Sequence, residues 1–254
     1  MCGRFVSTTT PVDLVGLLGE MRWDPAEALA PSWNVAPTHP VPAVLERLDR
    51  ETGEVVRQLR PLRWGLVPSW SKDPAGGARM INARAETVHE KPAFRKAFAA
   101  RRCVIPADGY FEWRPVEAAA GRKAFKQPYY LSTGSVLLMA GLYEFWRDRS
   151  VPDDDPAAWL TTTTIITTDA TDRAGRIHDR MPLTIAPADL DAWLDPDRSD
   201  TADLHHLLHT PVGGELTVRA VSTAVNSVRS NGPELLDRVD DPLGLADPVG
   251  QRAG

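Results

Sequence analysis

The sequence has little of what would indicate a membrane protein, a secreted disulfide scaffold or a zinc site. It contains only two cysteines, Cys2 and Cys103, in 254 residues. Two cysteines supply neither a disulfide framework nor a four-thiolate zinc site. The longest apolar run, residues 136–143, is well short of the roughly 20 residues that span a bilayer. The first residues, Met-Cys-Gly-Arg-Phe, lack the basic segment and apolar stretch of a signal peptide, so we expect a cytoplasmic protein with free thiols and no membrane partner.

Positive charge is also in short supply. The formal net charge is −5, which is not typical of a protein that coats nucleic acid non-specifically. An acidic total still permits a local DNA site, because a few clustered arginines can neutralise a few phosphates. The apolar and charged fractions, 43% and 25%, are those of an ordinary globular protein. The length suffices for one sizeable core.

Strand patterns outnumber helix patterns along the chain. Apolar and β-branched runs predict strands at residues 41–48, 54–59, 102–105, 110–113, 129–132, 136–143, 160–168 and 216–221. Helices are predicted after Thr10-Pro11, after Pro92, after Pro187 and after Thr201. Without regular βαβ alternation, this order indicates a single α+β domain with a mostly antiparallel, barrel-like sheet. We expect the domain to cover residues 1–239. Residues 240–254, with little to bury, are predicted to form a disordered tail.

Cys2 has a chemistry that a buried core cysteine does not. Methionine aminopeptidase removes Met1 when the second side chain is small, which would leave Cys2 with an α-amine and a thiol on adjacent carbons. The unperturbed pKa values are about 7.7–8.0 for the amine and about 8.5 for the thiol, so both are partly nucleophilic near neutrality. Such an aminothiol condenses with an aldehyde to an imine, and the sulfur then closes a five-membered thiazolidine intramolecularly. A Met-Cys start alone is a weak signal.

Four unusual strings follow in the chain: Trp-Gly-Leu-Val-Pro-Ser-Trp at 64–70, Ile-Asn-Ala-Arg-Ala-Glu at 81–86, Gly-Tyr-Phe-Glu-Trp at 109–113 and Ile-His-Asp-Arg-Met-Pro at 177–182. Each has an ordinary structural interpretation when taken alone. Asn82 suits a turn, Glu112 a solvent-facing strand position and His178 a structural role.

In combination with the Met-Cys-Gly-Arg-Phe start, the strings are more specific. Cys2, Asn82, Glu112 and His178, in this order, resemble the SRAP (SOS response-associated peptidase) family, whose members process abasic sites in DNA. The resemblance runs from Met1 to about Leu236. It includes Asn-Val-Ala-Pro at 34–37 and Val-Asn-Ser-Val at 225–228.

The resemblance implies an enzyme of DNA repair and the SOS response that acts as a monomer on single-stranded DNA. Cys2 would crosslink to the abasic site through both Nα and Sγ, and Asn82 would orient the amine. Glu112 would act as acid and base near the sugar, while His178 would protonate the sugar oxygen and open the ring. The family name adds a peptidase activity, which could be removal of the protein's own first residue, and lyase-like chemistry at the lesion.

The resemblance also implies DNA contacts. Arg4, Arg84 and Arg180 would hold phosphates beside the lesion through their planar guanidinium groups. Trp70 would stack on an unpaired base, although core packing explains a tryptophan equally well. The family often has a second aromatic residue next to Trp70, and Ser71 stands there in this chain.

The histidines His205, His206 and His209 raise the question of a metal. His205 and His209 are one helical turn apart, but the sequence offers neither a metalloprotease pattern nor a third ligand. We therefore expect no metal and no cofactor.

Two other functions are compatible with an N-terminal cysteine. Glutamine amidotransferase domains of one class also mature to an N-terminal Cys-Gly, whose thiol attacks an amide. This alternative differs in the electrophile, and the chain lacks recognisable glutamine-binding strings. A passive single-strand binding module is the third possibility, and it leaves Cys2 without a role.

Overall fold

The computed structural model describes residues 2–119, 123–152, 154–208 and 215–248. Strands make up most of its regular structure. They are β1 (Phe5–Ser7), β2 (Ser32–Val35), β3 (Pro40–Leu48), β4 (Val55–Trp64), β5 (Asn82–Arg84), β6 (Arg102–Ala107), β7 (Gly109–Val116), β8 (Phe125–Ser132), β9 (Leu137–Arg147), β10 (Trp159–Asp169), β11 (Arg180–Pro182) and β12 (Thr217–Ala220). The α-helices are α1 (Pro11–Leu18), α2 (Arg95–Ala100), α3 (Asp172–Ile177), α4 (Leu190–Leu194) and α5 (Thr201–Leu207).

Five strands close into a barrel. They pair in the order β10-β4-β3-β6-β9, and β9 pairs back onto β10. The pairings are antiparallel except for β10 with β4 and β10 with β5. The middle of β10, residues 163–167, is buried without alternation, as expected for a strand that is covered on both faces. The predicted α+β fold with a mostly antiparallel, barrel-like sheet is confirmed.

A second sheet, in the order β12-β8-β7-β1-β2, packs on one face of the barrel strands. Phe5 and Tyr110 from this sheet share a buried cluster with Trp64 and Ile165 of the barrel. The other face of the barrel strands is covered by helices, through residues such as Phe98. Cys2 belongs to the same cluster as Phe5 and Trp64 and is therefore buried between the second sheet and the barrel.

The helices are shorter than their sequence patterns suggest. α1 begins where predicted, with the Thr10 side chain accepting a hydrogen bond from the Asp13 amide. The helix predicted from Pro92 begins only at Arg95, because residues 92–94 form turns. In the part of the chain that is described, no helix is long and apolar enough to cross a membrane.

The predicted tail falls partly within the described residues. Asp241 accepts a hydrogen bond from the Tyr129 hydroxyl at 2.6 Å, and Asp247 pairs with Arg173 at 2.7 Å. Leu245 and Ala246 pack against the core. These contacts connect residues 241–247 to the rest of the domain. Residues 249–254 lie outside the described residues, and disorder there stays a prediction.

Candidate active site around Cys2

Cys2 is fully buried beside β7. The Arg4 carbonyl accepts a hydrogen bond from the Phe111 amide at 2.9 Å, and Phe5 lies opposite Tyr110 in the β1–β7 pair. The first residues therefore run antiparallel to the strand that carries Glu112. Burial, and secondarily the Glu112 carboxylate, raises the pKa of the Cys2 thiol well above its ordinary range. The thiol is consequently protonated at rest, unlike the partly ionised group that an exposed aminothiol would offer.

Asn82 is held against Cys2 by the barrel. Its strand β5 pairs with β10, where Asn82 lies beside Ile165, and the Trp64 indole donates to the Ile81 carbonyl at 2.9 Å. Asn82 Nδ2 donates to the Cys2 carbonyl at 2.8 Å. Its Oδ1 is buried and has no hydrogen-bond partner among the described residues. A strong acceptor next to Cys2 is therefore available to a further donor.

Glu112 provides a carboxyl group that titrates near neutrality. It is only 4% exposed on β7, and burial raises its pKa from 4.5 to about 7. A carboxyl with such a pKa can both give and take a proton at physiological pH. The sequence suggested a solvent-facing position for Glu112 on its strand. The structure buries it instead.

His178 lies at the end of α3, just before β11. Its Nδ1 accepts a hydrogen bond from the Arg180 backbone N–H at 2.9 Å, although the Asp179 carboxylate is also 2.7 Å from Nδ1. The backbone N–H is a fixed donor, so the neutral ring carries its hydrogen on Nε2, and the exposed Asp179 acts through its charge. Burial lowers the pKa of His178. The neutral ring therefore predominates at neutral pH.

Arg4 is oriented by two of the strings noted in the sequence. Its guanidinium donates to Asn34 Oδ1 at 2.7 Å and to the carbonyls of Val225 and Asn226 at 2.8 and 3.3 Å. Asn34 is itself buried and donates through Nδ2 to the carbonyls of Ser227 and others nearby. All three acceptors of Arg4 are neutral, so its positive charge is not cancelled by them.

The remaining predicted DNA contacts differ in exposure. Arg84 is exposed on β5, and Trp70 is 64% exposed, which excludes the core-packing interpretation of this tryptophan. Arg180 is buried, and its guanidinium contacts both Glu86 oxygens at 2.8 and 3.0 Å and Asp169 at 2.5 Å. A phosphate would have to displace these carboxylates in order to bind Arg180. The role of Arg180 as a phosphate ligand stays a prediction.

An open pocket of ≈ 490 Å³ makes Glu112 and His178 accessible; it is lined by Arg4, Glu112, Trp113, Lys126, His178 and Asn226. Trp113 and Asn226 are joined by an indole hydrogen bond to Asn226 Oδ1 at 2.7 Å. Both lie in strings of the SRAP resemblance, at positions for which the sequence implied no role. Lys126 carried no sequence signal, because an isolated lysine on an exposed strand position is usually only solvated.

Metal ligation finds no support in the histidine-rich helix. Within the described ranges, no group of three or more His, Cys, Asp or Glu side chains is arranged to hold a metal ion. His205 on α5 instead lies edge-to-face with His89. His209 is outside the described residues.

The fold and the pocket together define an α+β barrel protein with a polar pocket, in which Glu112 lies on the strand next to the segment that starts at Cys2. A profile of the family described as SOS response associated peptidase (SRAP) matches residues 1–228, and the chain belongs to this family. The abasic site processing protein YoqW of Bacillus subtilis is 35% identical over 93% of this chain and 99% of its own. The abasic site processing protein HMCES of Pongo abelii is 32% identical over 94% of this chain and 77% of its own.

Solved structures agree with this assignment. A crystal structure of a protein from Bacteroides thetaiotaomicron has a TM-score of 0.74 and 25% identity, and the match covers 94% of this chain and all of that one. A phage-related protein from Bordetella bronchiseptica has a TM-score of 0.62 and 29% identity, over 87% of this chain and 94% of that one. The barrel with its second sheet is therefore the fold of known proteins of similar sequence.

Proposed function

We propose that this protein recognises abasic sites in single-stranded DNA and bonds to them covalently through Cys2 after Met1 is removed. The observation that carries the proposal is the arrangement at Cys2: Asn82 contacts its carbonyl, and the spare Asn82 Oδ1 is buried beside it. A free Cys2 α-amine would supply the donor that this oxygen lacks. The relatives named as abasic site processing proteins support the same substrate.

The first chemical step opens the sugar. An abasic deoxyribose is mostly a closed hemiacetal, which has no aldehyde to attack. The protonated form of His178, which is the minor form at neutral pH, donates to the ring oxygen as the C1′–O4′ bond breaks, and the Glu112 carboxylate takes the proton of the C1′ hydroxyl. The products are an aldehyde, a neutral imidazole and a protonated Glu112, whose pKa of about 7 suits this exchange.

Bond formation follows on the aldehyde carbon. The Cys2 amine adds to it, Glu112 protonates the resulting hydroxyl, and water leaves to give an iminium ion. The sulfur then bonds to the same carbon, the C=N electron pair returns to nitrogen, and the thiol proton goes to the Glu112 carboxylate. Because the buried thiol is protonated at rest, this order places the amine before the sulfur.

DNA would be held by positively charged and aromatic side chains. Arg4, which keeps its charge, and the exposed Arg84 are suited to phosphates on either side of the lesion. Trp70 offers an exposed face for base stacking. We further propose that the protein works as a cytoplasmic monomer, and that any peptidase activity serves removal of its own first residue.

The test is to mix mature protein with single-stranded DNA that carries one abasic site. A denaturing gel and intact mass should show an adduct lighter by one water than the sum of its parts. Protein that keeps Met1, or carries an N-terminal tag, should form none, because the ring needs a free Cys2 nitrogen. Cys103→Ala, which removes the other buried thiol, is the matched control and should react normally.

Three outcomes would contradict the proposal. Full crosslinking by the N-terminally blocked protein would assign the bond to another residue. Ammonia release from glutamine, without an adduct to abasic DNA, would instead favour the amidohydrolase chemistry of an N-terminal cysteine. A heat-stable, unreduced adduct with Cys2→Ala would exclude the sulfur from the product.

A further inference from the structure

Besides Asn82 Oδ1, the site contains another buried polar atom without a hydrogen-bond partner among the described residues, and the reaction above gives it no role. Tyr110 is 2% exposed, and its hydroxyl has no hydrogen-bond partner within the part of the chain that the structure describes. A buried phenol normally finds a partner, because burying an unpaired hydroxyl is costly. The orphan atom therefore needs an explanation.

Strand geometry directs Tyr110 towards the reacting groups. Tyr110 and Glu112 are two residues apart on β7, so their side chains leave the same face of the sheet. Tyr110 belongs to the same buried cluster as Cys2, while the intervening Phe111 packs on the opposite face with Tyr130. Burial, with smaller contributions from Cys2 and Glu112, raises the pKa of Tyr110 far above its ordinary range, so the phenol keeps its hydrogen.

We propose that Tyr110 is a further catalytic residue, whose hydroxyl transfers the proton of the Cys2 thiol. In the closure step, the phenol oxygen accepts the thiol proton as the C–S bond forms, and the phenol hydrogen passes to the Glu112 carboxylate. The thiol loses one proton, Glu112 gains one, and Tyr110 is unchanged. Asn82 Oδ1 then accepts a hydrogen bond from the Cys2 nitrogen, and the Tyr110 hydroxyl accepts the proton of the Cys2 sulfur. This inference rests on the proposed function.

The test compares Tyr110→Phe with Tyr130→Phe. Both changes remove one buried hydroxyl on neighbouring strands, but Tyr130 donates to the Asp108 carbonyl at 2.9 Å and lies on the far face of the sheet. Tyr110→Phe removes an unpaired group, so its melting temperature should not fall below that of the wild type. Tyr130→Phe loses a hydrogen bond and should melt lower, with unchanged chemistry.

Two measurements on mature protein test the role of Tyr110. With abasic single-stranded DNA, Tyr110→Phe should form the borohydride-trapped imine at the wild-type rate, but the unreduced stable adduct about 10²-fold more slowly. Without DNA, iodoacetamide should alkylate Cys2 more slowly in Tyr110→Phe than in Tyr130→Phe at one fixed pH, with peptide mapping to separate Cys2 from Cys103.

The DNA-free reading keeps the two proposals apart. If wild-type protein formed no adduct, the proposed function would fail, and the alkylation rates would still show whether Tyr110 serves the thiol. Equal alkylation and equal closure rates in the two variants would overturn the role of Tyr110. A parallel loss of imine trapping and closure would reduce it to a structural residue.

Discussion

The barrel wall and the rim around Cys2 are built from strands of very different length. The wall consists of β3, β4, β6, β9 and β10, which have between 6 and 11 residues. The rim consists of β1, β5 and β11, which have 3 residues each. Each rim strand pairs with a longer one, β1 with β7 and the other two with β10. Each rim strand thus depends on a longer neighbouring strand for its order, so stability and chemistry should be separable by mutation.

The largest effect is expected in the rim, from His178→Ala. Loss of one acid group typically slows a reaction about 10²–10⁴-fold, whereas DNA affinity should stay nearly intact. Single-turnover crosslinking beside equilibrium binding to an uncleavable abasic analogue measures both. By microscopic reversibility, the adduct of the variant should also reverse more slowly. An equal loss of affinity and rate would make His178 a DNA contact instead of an acid.

The matching change on the wall side is Phe98→Ala. Phe98 is fully buried among the helices that cover the barrel and lies near Trp193, so truncation should cost about 3–5 kcal/mol of unfolding free energy. Crosslinking per folded molecule should be unchanged below the melting transition. The exposed Val12→Ala is the control, with an effect within about 0.5 kcal/mol. Selective loss of crosslinking in folded Phe98→Ala would break the separation of wall and rim.

Glu112→Gln sharpens the comparison between wall and rim because it changes a residue of the site and should also alter the stability of the protein. The native pKa of Glu112, about 7, lies above its ordinary 4.5, so the native state holds a proton that the unfolded chain releases between these values. Wild-type stability should therefore fall as pH rises from about 4.5 to about 7, by roughly 3 kcal/mol relative to Glu112→Gln. Chemical denaturation of both proteins across this range gives the difference. A constant difference would mean that the carboxyl is not held protonated by burial.

The smallest effect should come from Arg84→Ala at the exposed edge of the rim. If Arg84 neutralises one phosphate, the slope of log affinity against log salt should become shallower by about 0.7. Non-covalent binding of Cys2→Ala protein to single-stranded DNA, with and without the Arg84 change, provides the measurement. An unchanged slope would return Arg84 to the class of solvated surface charges.

The wall could be predicted from the sequence, while the rim could not. Strands such as 41–48 and 160–168 have enough β-branched and apolar residues for a pattern to emerge, and the structure confirms them as β3 and β10. The strands at Asn82–Arg84 and Arg180–Pro182 are too short and too polar to show a two-residue period. They form only because β10 offers them a pairing edge.

The order of the sequence strings identified the candidate site residues, but it did not predict whether each residue is buried or exposed. Trp70 suited the core and the surface equally well, and the structure exposes it. Arg180 suited a phosphate contact, yet it is buried and paired with the exposed carboxylates of Glu86 and Asp169. The environment of Arg180 depends on Glu86, which is 94 residues away in the chain.

By itself, the sequence determined the α+β class, the long strands and the position of Cys2 next to the start of the chain. These follow from local composition and residue order, which need no knowledge of the fold. The tertiary structure alone decided that Asn82, Glu112 and Tyr110 surround Cys2 and that its thiol is protonated at rest. The reason is physical: burial and neighbouring charges set a pKa, and both arise only when segments some 80 to 110 residues apart are packed together.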